Sequence, residues 1–215
     1  MIDVIVSFLV CALFSPLFGL AYRNRVYGRE HLPKGGGLLA ANHTSFLDPP
    51  LIGFCVYPRR LCYLARGTLF KPVLGWILRH IGCCPVHRGQ GNSTIFKLVP
   101  QLTQKGKLVV IFPEGTRSKN GQLQHGQAGI GLLVQKTGSR VVPCYIHGTF
   151  EAWGPHHRWP KLWGKTTCIF GSPLDFSSLD NLDKKEAQKQ IVLQIMEAIA
   201  RLKAWYLAGA HGSPP

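Results

Sequence analysis

The sequence predicts a single-domain α/β protein with a mixed, mostly parallel sheet flanked by helices, and a hydrophobic helix at the N-terminus. Short, wholly apolar runs such as residues 38–41 and 108–112 are typical of strands covered on both faces. Segments with helical spacing of apolar residues separate these runs. At 215 residues, the chain has room for one sizeable core and little room for two.

The N-terminal stretch, residues 4–22, is apolar and almost uncharged. Its length lies at the lower edge of what spans a bilayer, about 17–25 residues. Arg23 and Arg25 follow directly and would hold this end on the cytoplasmic side. Because Pro16 and Gly19 interrupt the stretch, a segment that dips into one leaflet is the alternative to a span. We therefore predict a membrane-associating segment, residues 1–25, and a main domain, residues 26–215, on the cytoplasmic face of a membrane.

The main domain alternates strands and helices. Apolar runs and turn signals predict strands within residues 26–34, 38–41, 61–65, 82–89, 107–112, 141–146 and 166–170. Apolar periodicity predicts helices at residues 46–56, 68–81, 93–104, 126–137 and 183–207. The last of these carries Ile191, Ile195 and Ile199 on one face, which we expect to pack on the sheet. The helix at 68–81 is apolar nearly all round, so we expect it to be buried, with contact to lipid or an acyl chain as the alternative.

The charge balance indicates an anionic partner. The chain has 25 Lys and Arg against 10 Asp and Glu, a net charge of +15. No helix-turn-helix, zinc-finger or RNA-recognition signature accompanies the basic residues, so we do not expect nucleic acid to be the partner. An anionic phospholipid membrane fits better, and an acidic carrier protein is a further candidate. Three tryptophans in a Pro- and Gly-rich segment, Trp153, Trp159 and Trp163, suit the headgroup level of such a membrane.

The first candidate catalytic pair follows the strand at 38–41. Residues 42–48 (NHTSFLD) place His43 at the rim of the sheet, where reactive groups of α/β folds tend to lie. The carboxylate of Asp48, five residues later, can fold back onto the imidazole and leave the other ring nitrogen free as a general base. No Gly-x-Ser-x-Gly elbow is present, so this base would activate a hydroxyl of the substrate. The alternative is that both residues merely cap a turn and the next helix.

A second candidate segment, residues 113–118 (PEGTRS), follows the strand at 107–112. Gly115 would let backbone N–H groups approach a ligand, and Arg117 offers a forked donor for phosphate. A loop with a solvated arginine is the alternative. The strand and turn at 82–89 present a second arginine, Arg88.

Four motifs in this order resemble the glycerolipid acyltransferase family, and within it the short bacterial 1-acyl-sn-glycerol-3-phosphate acyltransferases. They are residues 42–48, residues 82–88, residues 112–118 (FPEGTRS) and residues 142–143 (VP), and the similarity extends over residues 26–170. The sequence departs from the family pattern at residues 83–85 (CCP) and at residues 124–127 (QHGQ).

The resemblance implies transfer of an acyl group from acyl-CoA or acyl carrier protein to the sn-2 hydroxyl of lysophosphatidic acid, which gives phosphatidic acid. It implies that His43 and Asp48 are catalytic and that the following residues bind substrate: Arg88, Glu114, Gly115, Thr116 and Arg117. The two arginines would hold the acceptor phosphate, whereas Glu114 would orient its loop or contact the acceptor glycerol.

The chemistry implied by the resemblance requires no metal and no cofactor. Three alternatives remain open at this point. The first is transfer to another acceptor, such as glycerol-3-phosphate or another lysolipid. The second is a lipid-binding protein with a degenerate site, and the third is a hydrolase that uses the same base on water.

Overall fold

A computed structural model describes residues 2–86 and 93–215. Within them the strands are β1 (Arg25–Tyr27), β2 (Gly37–Ala41), β3 (Leu61–Arg66), β4 (Cys83–Val86), β5 (Leu108–Ile111), β6 (Val141–His147) and β7 (Thr167–Phe170). The α-helices are α1 (Ile2–Pro16), α2 (Asp48–Val56), α3 (Pro72–His80), α4 (Ser93–Gln104), α5 (Ala128–Thr137), α6 (Thr149–Trp153) and α7 (Lys184–Leu207).

The strands form one mixed sheet in the order β1-β7-β6-β2-β5-β3-β4. Every neighbouring pair is parallel except β6 and β7, which are antiparallel. The predicted fold class is therefore confirmed. The carboxyl ends of the parallel strands β2, β3, β5 and β6 meet at one edge of this sheet, which is where ligands bind in open α/β sheets.

Both faces of the sheet are covered, as the continuous apolar strands predict. On β2, Leu39 and Ala41 face a cluster that includes Leu51 of α2 and Phe18 near the N-terminus. Leu38 faces the other way, into a cluster built with α5 and α7. Helix α7 presents the predicted face to the sheet, and Asp183 caps it by accepting a hydrogen bond from Lys185 N at 3.0 Å.

The N-terminal apolar stretch is helical from Ile2 to Ala21, because a π-helical turn (Leu17–Ala21) continues α1 past Pro16. By length and composition it is apolar enough to cross a membrane, with a mean hydropathy of 2.4. Within the protein, α1 packs against α2 and α3. Phe18 and Tyr22 are fully buried, so the C-terminal end of the stretch belongs to the hydrophobic core.

Two helices differ from the sequence-based expectation. Helix α3 is not buried: Val73 is 77% exposed, and Trp76 is exposed as well. The helix lies beside the edge strand β4 and α1, so nothing in the described part of the chain covers its outer face. Helix α6 was not predicted at all, because five residues are too short for a helical period to be recognised.

Candidate active site

Asp48 is the centre of the site. It begins α2, directly after the loop that leaves β2, and its side chain is fully buried. One carboxylate oxygen, Oδ2, accepts hydrogen bonds from His43 Nδ1 at 2.8 Å, Thr44 N at 2.7 Å and Ser45 N at 2.8 Å. The other, Oδ1, accepts from Thr149 Oγ1 at 2.6 Å. Four donors therefore fix this carboxylate in one orientation.

The imidazole of His43 is held in one orientation by two neighbouring side chains. Its ring stacks on Phe112, with the centroids 4.0 Å apart, and its side chain remains 19% exposed. A proton on Nδ1, donated to Asp48, leaves a lone pair on Nε2, and no described residue makes a hydrogen bond to that nitrogen. The predicted pairing of His43 with Asp48 is thus present in the structure, with one ring nitrogen available to a ligand.

Glu114 holds the backbone of His43 from the neighbouring strand. His43 N donates to Glu114 Oε1 at 3.0 Å, while Gln124 N and Nε2 donate to Oε2 at 3.2 and 3.0 Å. Burial raises the pKa of this carboxyl, and the hydrogen bonds from His43 and Gln124 act in the opposite direction. Ser118 N also donates to His43 O at 2.8 Å. Of the two roles open for Glu114, these contacts favour orientation of the loop.

The segment that departs from the family pattern supports the same loop. Gln127 N donates to Pro113 O at 2.8 Å. Gly115 has a φ of +70°, and a Cβ atom there would lie 2.9 Å from Gln127 Cγ, so glycine is favoured at this position. Gly115 and Thr116 are exposed at the tip of the loop.

Arg117 follows the tip of the same loop, and its side chain is half-buried. Its guanidinium carbon is 3.6 Å from the centroid of the Phe46 ring. Burial lowers the pKa of Arg117; the charge of Asp48 raises it, and the charge of Arg66 lowers it further. Nη1 is buried, yet it has no hydrogen-bond partner among the described residues. A buried guanidinium N–H without an acceptor is suited to an anionic group of a ligand.

The structure adds two residues that the sequence did not single out. Thr149, at the start of α6, supplies the fourth hydrogen bond to Asp48. Arg66 ends β3, and its charge acts on Arg117. The signal that could have found them is position, since both come at the carboxyl end of a parallel strand. The remaining predicted residue, Arg88, lies outside the described residues.

The fold and this arrangement agree with a family comparison. Residues 23–147 match the Acyltransferase family, and the chain therefore belongs to that family. The predicted resemblance to acyltransferases is confirmed at this level.

Two similar proteins are both named 1-acyl-sn-glycerol-3-phosphate acyltransferase. The chain is 32% identical over 173 residues to the chloroplastic 1-acyl-sn-glycerol-3-phosphate acyltransferase LPAT1 of Arabidopsis thaliana. The aligned residues cover 78% of this chain and 48% of that protein. The chain thus spans about half the length of this relative. The chain is also 28% identical over 182 residues to the 1-acyl-sn-glycerol-3-phosphate acyltransferase of Bacillus subtilis. The aligned residues cover 83% of this chain and 87% of that protein.

The fold is similar to that of a solved structure. The crystal structure of the 1-acyl-sn-glycerophosphate acyltransferase PlsC from Thermotoga maritima aligns with a TM-score of 0.69 at 24% identity. The alignment covers 91% of this chain and 78% of that chain. At this identity the likeness establishes the fold alone.

Proposed function

We propose that this protein transfers an acyl group from a thioester, on coenzyme A or acyl carrier protein, to the sn-2 hydroxyl of 1-acyl-sn-glycerol-3-phosphate. The product is phosphatidic acid. The observation that carries the proposal is the 2.8 Å contact between His43 Nδ1 and Asp48 Oδ2, with Nε2 left available. The names of the relatives supply the acceptor.

The geometry supports general-base catalysis. His43 Nε2 takes the proton of the sn-2 hydroxyl as its oxygen attacks the thioester carbonyl, and Asp48 stabilises the imidazolium that forms. Collapse of the tetrahedral intermediate breaks the carbon–sulfur bond, and the imidazolium returns its proton to the thiolate. Base assistance of this kind contributes about 10²–10⁴ in rate.

The acceptor phosphate is proposed to bind at Arg117. The unpartnered Nη1 of this side chain and the nearby charge of Arg66 support an anion there. The stacking of the guanidinium on Phe46 keeps its planar fork in one orientation, which favours bidentate recognition. A role of Arg88 in the same phosphate site stays a proposal from the resemblance.

The protein is also proposed to work on the cytoplasmic face of a membrane, with α1 in one leaflet. Near the N-terminus of α1, Asp3 Oδ2 lies 3.4 Å from Arg60 Nη1, and Ser7 Oγ donates to His80 O at 3.4 Å. At the other end, Phe18 is buried in the core. Because both ends contact the same domain, this packing favours a helix that lies along the domain over one that crosses the bilayer.

The test is a transfer assay with labelled acyl-CoA, acyl carrier protein as an alternative donor, and a panel of acceptors. We expect labelled phosphatidic acid from lysophosphatidic acid, at a rate above that of every other acceptor. Free fatty acid formed equally with and without acceptor would indicate a hydrolase instead. Faster transfer to glycerol-3-phosphate or another lysolipid would overturn the proposed acceptor and leave the family unaffected.

A further inference from the structure

An exposed surface of aromatic and basic residues lies in the segment between α6 and β7. Trp159 is 72% exposed, Trp163 is 77% exposed and Leu162 is 54% exposed. We call this the Trp-Lys surface, and its members are Arg23, Arg158, Trp159, Lys161, Leu162, Trp163 and Lys165, all exposed. The sequence contains no acidic residue between Glu151 and Asp175, so the charged members of the surface are all basic. Glu151 is the acidic neighbour, and it lines one cleft together with Lys161 and Lys165.

The Trp-Lys surface is attached to the C-terminal end of the N-terminal helix. Gly164 N donates to Ala21 O at 3.0 Å, and Thr166 N donates to Tyr22 O at 2.9 Å. Arg23, Trp163 and Lys165 line one shallow cleft. The Trp-Lys surface therefore adjoins the end of the apolar helix and Arg23, the first basic residue after it.

The backbone of Trp163 is strained. Its φ of +67° lies in the left-handed region, which is unfavourable for a bulky side chain. The indole is mostly exposed, so packing within the described residues gives little in return for this strain. Strained residues persist only where the surrounding structure holds them, and they cluster at functional sites. At Trp163 this conformation coincides with a large aromatic ring that is mostly exposed.

We propose that the Trp-Lys surface docks in the headgroup layer of an anionic phospholipid membrane, beside helix α1. This inference rests on the proposed membrane association and extends it to a second segment, which is distant from α1 in sequence but lies next to its C-terminal end. Tryptophan rings prefer the headgroup level, where one part of the ring is apolar and the other is hydrated. Lysine and arginine near the surface are attracted to anionic lipids. The four cations around two exposed indoles fit both requirements.

Docking of this surface would also set the depth of the catalytic residues. Lys161 N donates to Ala152 O at 2.7 Å, which joins the segment to α6. From α6, Trp153 O accepts from Ser45 Oγ at 2.7 Å, and Thr149 bonds to Asp48. Hydrogen bonds to α6 therefore connect the segment that contacts the headgroups to the loop that carries His43. A lysolipid acceptor presents its glycerol at this same level of the membrane.

The experiment measures binding of the full-length protein to lipid vesicles, without acyl donor or acceptor. The vesicles contain either phosphatidylcholine alone or phosphatidylcholine with phosphatidylglycerol. The first variant combines Lys161→Glu with Lys165→Glu. Its matched control combines Lys184→Glu with Lys185→Glu, the same charge change on exposed residues at the start of α7. A second variant combines Trp159→Ala with Trp163→Ala.

We expect the Lys161/Lys165 variant to bind anionic vesicles about tenfold or more weakly than its control, and neutral vesicles equally. This difference should vanish near 1 M salt, where screening acts over about 3 Å. The Trp159/Trp163 variant should bind both kinds of vesicle more weakly. Equal binding of the Lys161/Lys165 variant and its control to anionic vesicles would overturn the proposal, and so would an equal loss on neutral vesicles. Neither result depends on acyl transfer, so the proposed function is tested separately.

Discussion

Two charged residues at the same edge of the sheet differ in how their hydrogen-bonding capacity is used. Asp48 accepts four hydrogen bonds, from His43, Thr44, Ser45 and Thr149. Arg117 is close enough for the charge of Asp48 to act on it, although burial is the largest influence and lowers the pKa of the guanidinium. Its Nη1 is buried and has no partner in the described part of the chain. The hydrogen bonds of the Asp48 carboxylate are all made within the protein, whereas Arg117 Nη1 has no acceptor among the described residues.

This difference suits two different tasks, orientation of a base and binding of a ligand. A base must already be oriented when the substrate arrives, because the reaction gains from groups that need no reorganisation. A binding group must instead keep donors free until its ligand supplies the acceptors. We therefore expect changes around Asp48 to act on turnover, and changes at Arg117 to act on the Michaelis constant for the acceptor.

The largest effect is expected from Asp48→Asn. The asparagine amide would direct N–H groups at neighbours that are themselves donors, so the imidazole would lose its orientation. We expect kcat to fall by about 10²–10⁴ with lysophosphatidic acid as acceptor. Asp180→Asn, at an exposed aspartate after β7, is the control and should retain native kcat. A kcat within threefold of native would remove Asp48 from the machinery.

Arg117→Lys should act on acceptor binding. Lysine keeps the positive charge but loses the planar fork, so it cannot hold a phosphate through two parallel hydrogen bonds. We expect the acceptor KM to rise about tenfold, with kcat changed by less than about threefold. Arg201→Lys, on the exposed face of α7, serves as the control. An unchanged KM together with a lower kcat would assign Arg117 to the chemical step. Arg117 and Asp48 would then no longer differ in the kinetic constant that they affect.

Substitution of Thr149 tests whether its hydrogen bond positions the carboxylate of Asp48. Thr149→Val keeps the shape of the side chain and removes the hydroxyl that donates to Oδ1. Because hydrogen bonds to charged groups contribute about 1.5–3 kcal/mol, we expect kcat to fall about tenfold at unchanged KM. Thr149→Ser should restore kcat to within about threefold of native. If serine fails to rescue, the hydroxyl is not what positions the carboxylate.

The smallest effect is expected at Gly115. Both Gly115 and Gly106 have positive φ, but only at Gly115 would a Cβ atom approach Gln127, at 2.9 Å from its Cγ. Substitution of either glycine by alanine should lower the free energy of unfolding by about 1–2 kcal/mol, measured by urea denaturation. Only Gly115→Ala should also raise the acceptor KM, by about twofold. Equal KM values in the two variants would place the loop tip outside the binding site.

The contact between His43 and Asp48 could be predicted from the sequence because it is local. Five residues separate His43 from Asp48, the strand before them is recognisable by its apolar run, and a turn is enough to bring the two side chains together. The loop at 113–118 was predictable in the same way, from the strand that precedes it. The fold class followed from the alternation of such strands with helices.

The supporting contacts could not be predicted in this way, because they depend on the order of strands in the sheet. Thr149 reaches Asp48 across 101 positions of sequence, and only because β6 pairs directly with β2. Arg66 acts on Arg117 because β3 lies beside β5. The exposure of α3 likewise depends on its position at the edge of the sheet. An apolar helix has the same pattern whether protein or lipid is to cover it.

The most direct test of the account is the single-turnover rate of acyl transfer to lysophosphatidic acid, compared between the native protein and His43→Ala. The account predicts that the variant forms phosphatidic acid at least about 10²-fold more slowly, while it binds the acceptor with unchanged affinity. Transfer by His43→Ala at the native rate would contradict the assignment of His43 as the base, even though the protein would remain an acyltransferase.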